Sequence, residues 1–100
     1  MGEVSIVGDA DLMSDIKAGN MRSFDQLYKR YSKRLLKFSL SIVKSREEAE
    51  NIVQEVFLAL WINRDKISRD ASVRYYVFTI AYNTSISALR RKAKDDKFFE

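Results

Sequence analysis

No proline occurs in this chain, and its three glycines, Gly2, Gly8 and Gly19, all fall before residue 20. Residues 20–100 therefore lack both residues that best interrupt a helix, and long helices are the expected outcome. Hydrophobic residues make up 46%, enough to give such helices a common core. A chain of 100 residues supports one compact domain. The expected fold is all-α, a compact bundle of three long helices plus a short N-terminal one. There is no internal repeat and no low-complexity linker.

Periodicity places the helices. The short first one is expected from about Asp11 to Ala18, capped by Asp9 or Asp11 and stopped by Gly19-Asn20, with residues 1–9 as a flexible N-terminus. The second is expected over Ser23–Val43. Phe24, Leu27, Tyr28, Tyr31, Leu35, Phe38 and Ile42 form a single stripe on it, at helical spacing. Ser45 and Glu48 have capping-box spacing at the start of the third, and Glu47, Glu48 and Glu50 suit the positive end of a helix dipole. Its inner stripe is Ala49, Ile52, Val53, Val56, Phe57, Leu60 and Trp61, and it should end near Asn63. A polar loop, Arg64–Ala71, follows. The fourth helix is expected from Ser72 to Lys92 or beyond, on a stripe of Val73, Tyr76, Val77, Ile80, Thr84 and Ala88.

Composition removes whole classes of chemistry. With no Cys and no His there are no thiolate or imidazole metal ligands, no Cys or Ser–His nucleophile and no disulfide. The acidic pairs Glu47-Glu48 and Asp95-Asp96 are adjacent, so on a helix they diverge by about 100° instead of facing one substrate. No glycine-rich phosphate loop exists. No cofactor and no enzymatic activity are expected. The longest apolar run, Val56–Ile62, is far shorter than the roughly 20 residues of a membrane span. The first residues carry Glu3, Asp9 and Asp11 and no early base, unlike a signal peptide.

The formal charge of +4 is laid out in blocks: −4 over residues 1–16, +8 over 17–46, −3 over 47–70 and +3 over 71–100. Two basic blocks around an acidic one fit different partners on different surfaces; solvated helix faces account for the charges equally well.

Two helices carry more apolar residues than one stripe needs. On the third, Leu58 and Ile62 point away from the inner stripe and share their face with Asn51, Gln54 and Glu55. An apolar centre with a polar rim resembles a partner contact. The alternative is a helix buried all round, which would demand a hydrogen-bond partner for each amide and carboxylate. On the fourth, Tyr75, Phe78, Tyr82, Ile86 and Leu89 form a second stripe, followed by Arg90, Arg91, Lys92, Lys94 and Lys97. Rings stack on bases and cations neutralise phosphates, so single-stranded nucleic acid is one reading. A helix packed on two sides is the other.

The phrase Glu48-Ala49-Glu50-Asn51-Ile52-Val53-Gln54-Glu55-Val56-Phe57 resembles the second helical segment of conserved region 2 in extracytoplasmic-function sigma factors. Ser23-Phe24-Asp25-Gln26-Leu27-Tyr28-Lys29-Arg30-Tyr31 is similar to the family's opening helix. Tyr76-Val77-Phe78-Thr79-Ile80-Ala81-Tyr82-Asn83 is similar to its promoter-facing helix, and Leu89-Arg90-Arg91 to its basic close. Each piece is a weak motif; four in order are specific. The resemblance covers residues 10–95, with 96–100 as the start of a linker to a second helical domain that the family normally carries and that is not in these residues. The chain thus reads as a fragment.

The resemblance implies a cytoplasmic sigma factor domain that takes part in transcription initiation. It would dock on core RNA polymerase, at the beta-prime clamp helices, through Asn51, Gln54, Glu55, Leu58 and Ile62. It implies recognition and melting of the promoter minus-ten element. There the non-template strand would meet the loop Ile67, Ser68, Arg69, Asp70, Ala71 and Ser72, together with Tyr76, Asn83, Arg90, Arg91 and Lys92. Asn83 is suited to a flipped base because an amide offers both a donor and an acceptor. An anti-sigma factor is the further implied partner. Larger sigma factors place two tryptophans where Tyr76-Val77 stands, so melting here should be weaker or more sequence-restricted. Two competing readings are a helix-turn-helix binder of duplex DNA, whose turn of 3–4 residues is shorter than Arg64–Ala71, and a helical protein-interaction adaptor.

Overall fold

The computed structural model describes the backbone of residues 7–99 and the side chains of residues 7–96. Four helices run in order: α1 (Asp9–Lys17), α2 (Met21–Val43), α3 (Arg46–Ile62) and α4 (Val73–Phe99), with one 3₁₀ turn, Arg64–Lys66, between α3 and α4. There is no strand among the described residues. The family of three long helices and a short one is the one expected from the sequence.

The helix ends follow local chemistry. α1 begins two residues earlier than expected, at Asp9, after Gly8 and without a side-chain cap. Asp9 is therefore not part of a flexible terminus. Its carboxylate pairs with the Arg30 guanidinium at 2.6 Å and accepts from the Tyr31 hydroxyl, which fixes α1 to α2. The expectation for residues 1–6 lies outside the described residues. Gly19 adopts φ +90 in the turn after α1, a conformation that a Cβ disfavours. Asn20 then caps α2, its side-chain oxygen accepting from the N–H groups of Arg22 and Ser23. That cap starts α2 at Met21 instead of Ser23.

α2 ends at Lys44, whose left-handed backbone (φ 60) turns the chain straight into α3. Ser45 caps α3 by accepting from the Glu48 N–H. At the other end Ser72 accepts from the Tyr75 N–H at 3.1 Å and so starts α4. α4 is one continuous helix to Phe99, so residues 96–99 are helical; Glu100 lies outside the described residues.

The core is one cluster. α2 supplies Leu27, Tyr31, Leu35 and Val43; α3 supplies Ala49, Ile52, Val53, Val56, Phe57 and Leu60; α4 supplies Val73, Val77, Ala81 and Ala88. α1 closes one end with Leu12, Met13 and Ile16. Fully burying one such aliphatic side chain contributes about 1.5–3 kcal/mol. Phe78 of α4 packs edge-on against Phe38, with ring centroids 5.4 Å apart, and also against Tyr31. The second stripe of α4 is thus split, with Phe78 half-buried and Tyr75 and Tyr82 exposed.

Candidate nucleic-acid and partner interfaces

α3 is buried along one side and bare along the other. Asn51, Gln54 and Glu55 are exposed, and Leu58 and Ile62 are 57% and 65% exposed. All five residues assigned to the outward face lie on it. The all-round-buried reading of this helix therefore does not hold. Beside Gln54 and Leu58 an open apolar groove of ≈ 310 Å³ runs between α2 and α3, lined by Met21, Phe24, Tyr28, Phe57 and Trp61. Sequence reasoning counted most of these residues as interior. Tyr28, however, is 40% exposed, and Trp61 is half-buried. Met21 went unnoticed because the Asn20 cap, which brings it into α2, was not anticipated.

Trp61 holds the end of this groove. Its ring meets Phe24 in an edge-to-face contact at 5.3 Å, and the Arg64 guanidinium lies over the ring at 4.2 Å. Arg64 also donates to the Trp61 carbonyl at 2.9 Å, tying the start of the α3–α4 connection to α3. The i, i+3 spacing of Trp61 and Arg64 is a signal the sequence did contain.

The connection itself departs from expectation at its first assigned residue. Ile67 is 6% exposed and belongs to the core, so its side chain anchors the loop and is not presented to a ligand. An isoleucine in a polar stretch next to a core buries itself because exposure gains it nothing. Ser68, Arg69, Asp70, Ala71 and Ser72 are exposed. The Ala71 N–H donates to the Ser68 carbonyl and the Asp70 N–H to the Ser68 hydroxyl, which folds the loop into a turn. Lys17 of α1 donates to the Ile67 carbonyl, a contact no sequence signal announced.

On α4 the assigned residues separate by face. Tyr76, Asn83 and Arg90 are seven residues apart, which keeps them within about 40° on a helix. Asn83 and Arg90 are exposed, and Tyr76 is half-buried, packed against the core. Arg91 turns away from them. It lines a groove between α3 and α4 with Glu48, Asn51 and Glu55, so it sits among acids. Lys92 is exposed and lies near Asp95 and Asp96, in a groove that Glu48 and Arg91 also line. The basic tail that looked uniform in sequence thus has one cation, Arg90, in line with Asn83 and another, Arg91, facing α3. No helix is long and apolar enough to cross a membrane among the described residues, and they hold no cluster of acidic side chains able to bind a metal.

The profile of the Sigma-70 region 2 family matches residues 27–95. The extracytoplasmic-function RNA polymerase sigma factor SigM of Mycobacterium tuberculosis is 28% identical over 83 residues, 83% of this chain and 42% of the relative. The sigma factor CnrH of Cupriavidus metallidurans is 31% identical over 77 residues, 75% of this chain and 40% of the relative. The chain thus spans about half or less of the length of these relatives. Among solved structures, CnrH in complex with the cytosolic domain of CnrY superposes with a TM-score of 0.75 at 28% identity, covering 79% of this chain and 51% of that one. An engineered region 2 of sigmaE in complex with GTAAAA superposes with a TM-score of 0.80 at 22% identity, covering 95% and 97%. That second likeness extends the shared fold over α1, which precedes the residues matched by the family profile. With more than half its length matched by the profile, and relatives named for the same role, the chain belongs to the Sigma-70 region 2 family, as the region 2 domain of an extracytoplasmic-function RNA polymerase sigma factor.

Proposed function

We propose that this domain docks on core RNA polymerase through the outward face of α3 and recognises and helps melt the promoter minus-ten element through the α3–α4 loop and the Asn83 face of α4. One observation carries the reading: a helix with a complete inner stripe also exposes Leu58 and Ile62 within a rim of Asn51, Gln54 and Glu55. Exposed apolar pairs of this kind find their free energy in a partner. The beta-prime clamp helices are the partner that family membership supplies. Tyr76, Asn83 and Arg90 on one line offer a ring, an amide and a guanidinium to a non-template strand. The ring can stack, the amide can read a base edge and the cation can meet a phosphate.

The domain acts in the cytoplasm, where polymerase is, and its role is recognition without catalysis. The complex of CnrH with the cytosolic domain of CnrY supports an anti-sigma factor as a further partner. The α3–α4 connection spans residues 63–72, too long for a helix-turn-helix turn of 3–4 residues, which supports this reading over a duplex-binding one. Mixing the purified chain with core polymerase and separating by size tests docking. Co-elution that Leu58→Ala and Gln54→Ala together abolish is expected; co-elution that survives them removes the α3 face from the interface.

A further inference from the structure

The exposed part of the α3–α4 loop hangs between two anchors. At its far end the Ser72 hydroxyl fixes it to α4 through the Tyr75 N–H. At its near end the Ile67 side chain is buried and the Ile67 carbonyl accepts from the Lys17 ammonium, 50 residues away in sequence. Between the anchors, the bonds of Ser68 to Asp70 and Ala71 are internal to the loop. Among the described residues, Lys17 makes the one hydrogen bond to this loop from outside the two helices it joins. The two elements face each other across a cleft of ≈ 240 Å³ lined by Met13, Ser14 and Lys17 from α1 and by Arg69, Ala71 and Val73.

A charge-assisted bond to a carbonyl is stronger than a neutral one, and it sets the orientation of the peptide it holds. The Ile67 carbonyl belongs to the peptide that leads into Ser68, so its orientation sets the path of the exposed residues after it. The Lys17 side chain is itself only half exposed, and its ammonium is engaged by the carbonyl. These are conditions for holding a loop and poor ones for following a phosphate backbone. α1 in turn is fixed to α2 by Asp9 through Arg30 and Tyr31, and by the Ser23 hydroxyl donating to Asp15. A tie from α1 therefore reaches the loop from a fixed support.

We infer that Lys17 is a positioning residue for base discrimination: it fixes the Ile67 carbonyl and with it the course of residues 68–72, so that α1, which lies before the profile-matched residues, is part of the promoter-reading apparatus. This rests on the proposed function of the loop. Lys17→Met keeps the aliphatic stem and removes the donor, while Lys17→Arg keeps a charged donor. Each 100-residue chain is given randomised six-nucleotide single strands, alone and bound to core polymerase, and the retained strands are sequenced. Amide hydrogen exchange is followed in parallel.

In Lys17→Met, a preference of about tenfold at a position read by the loop should fall to about twofold or less, a loss of the size that one base contact carries. Total retention of the pool should change by less than about twofold, because phosphate contacts that set it are untouched. The amides of Ser68–Ala71 should exchange faster, and Lys17→Arg should restore both readouts. Uniform weakening of all strands with a shallower salt slope would make Lys17 a phosphate contact and overturn the positioning role; so would an unchanged preference with unchanged exchange. If the wild-type chain shows no preference even on core polymerase, the promoter reading itself fails and discrimination by Lys17 with it, while exchange still decides whether Lys17 holds the loop. Should Lys17→Met fail to fold, the wild-type ammonium protons decide: they must exchange more slowly than those of exposed Lys33, and equal rates overturn the tie.

Discussion

Leu58 and Ile62 are held in place by the helix that carries them, whereas Ser68–Ser72 are held by groups from other parts of the chain. The outward face of α3 needs only helical geometry, since its five residues are arranged by the 3.6-residue period and by an inner stripe that fills the core. The loop needs the buried Ile67, the Arg64 stack on Trp61, the Ser72 cap and Lys17 of α1. A docking surface built the first way tolerates substitution of its own residues without loss of fold. A reading surface built the second way can be disturbed from a distance. The two also differ in chemistry, one apolar with an amide and acidic rim, the other polar with a cation in line.

The largest expected effect tests the first half of that contrast. Gln54→Ala with Leu58→Ala should weaken binding to core polymerase by at least about 30-fold, since hot-spot residues carry about 2 kcal/mol or more. Stability should stay within about 0.5 kcal/mol, as is usual for exposed positions. Titration against labelled core and a urea denaturation curve measure the two. A chain that unfolds instead would place this face in the interior and erase the distinction between the regions.

Trp61 sits where the two regions meet. Trp61→Ala should destabilise by about 2–3 kcal/mol, below the 3–5 typical of a fully buried large aromatic, because Trp61 is only partly buried. It removes both the Phe24 edge contact and the support for Arg64. Urea denaturation should show the loss, and hydrogen exchange should show the Arg64–Ser72 segment loosened. A loss under about 0.5 kcal/mol, the scale of a plain surface change, would mean that Trp61 serves only the groove.

Under the proposed function, the second region should separate further into residues that discriminate and residues that attract. Asn83→Ala should reduce the preference for a matched over a mismatched single strand by about 1–3 kcal/mol if the amide contact is bidentate. Arg90→Ala should weaken both strands alike and lower the salt slope by about 0.7, the value for one phosphate contact on a single strand. Arg91→Ala should do much less, because Arg91 faces Glu48 and Glu55. A salt titration with two oligonucleotides reads all three. If Arg91 matches Arg90, the split of the basic tail by face is wrong.

How much of this was legible in the sequence follows the same divide. α3 could be read almost to the residue, because Ser45, the acidic first turn and the period of its apolar residues are local signals. The polar choice of Asn51, Gln54 and Glu55 around Leu58 and Ile62 already marked an open face. α2 and α1 were displaced by two residues at their starts, since Asn20 and Gly8 act through caps that periodicity does not see. The loop was legible only as a polar stretch. Burial of Ile67 depends on where α1 packs, and the partner of Lys17 is a backbone carbonyl, which has no residue type to recognise. The acidic surroundings of Arg91 were hidden for a related reason: its neighbours are on another helix.

The smallest effect reaches the loop from furthest away. Tyr31 is buried and donates to Asp9, the carboxylate that fixes α1 to α2. Burial, then that hydrogen bond and the negative charge of Asp9, push the Tyr31 pKa above its ordinary value of 10.0, against the opposing pull of Arg34 and Arg74. The folded state therefore holds the phenolic proton more tightly than the unfolded state. The stabilisation is complete below the unfolded value of about 10 and is lost as pH rises through the higher folded one. Tyr31→Phe removes the donor and the titration together. Near neutral pH it should be less stable than wild type by about 1 kcal/mol, the net worth of one hydrogen bond, and the gap should narrow as pH climbs past about 10. Paired urea curves across that range give the comparison, and the difference between the two chains cancels the other groups that titrate there. Because the same bond steadies α1, Tyr31→Phe should also speed exchange of the Ser68–Ala71 amides while leaving the affinity for core polymerase within about twofold, as expected for a site away from the interface hot spots. If core binding falls as far as base preference, α1 supports both surfaces, and the self-supported helix face and the externally held loop are one mechanical unit.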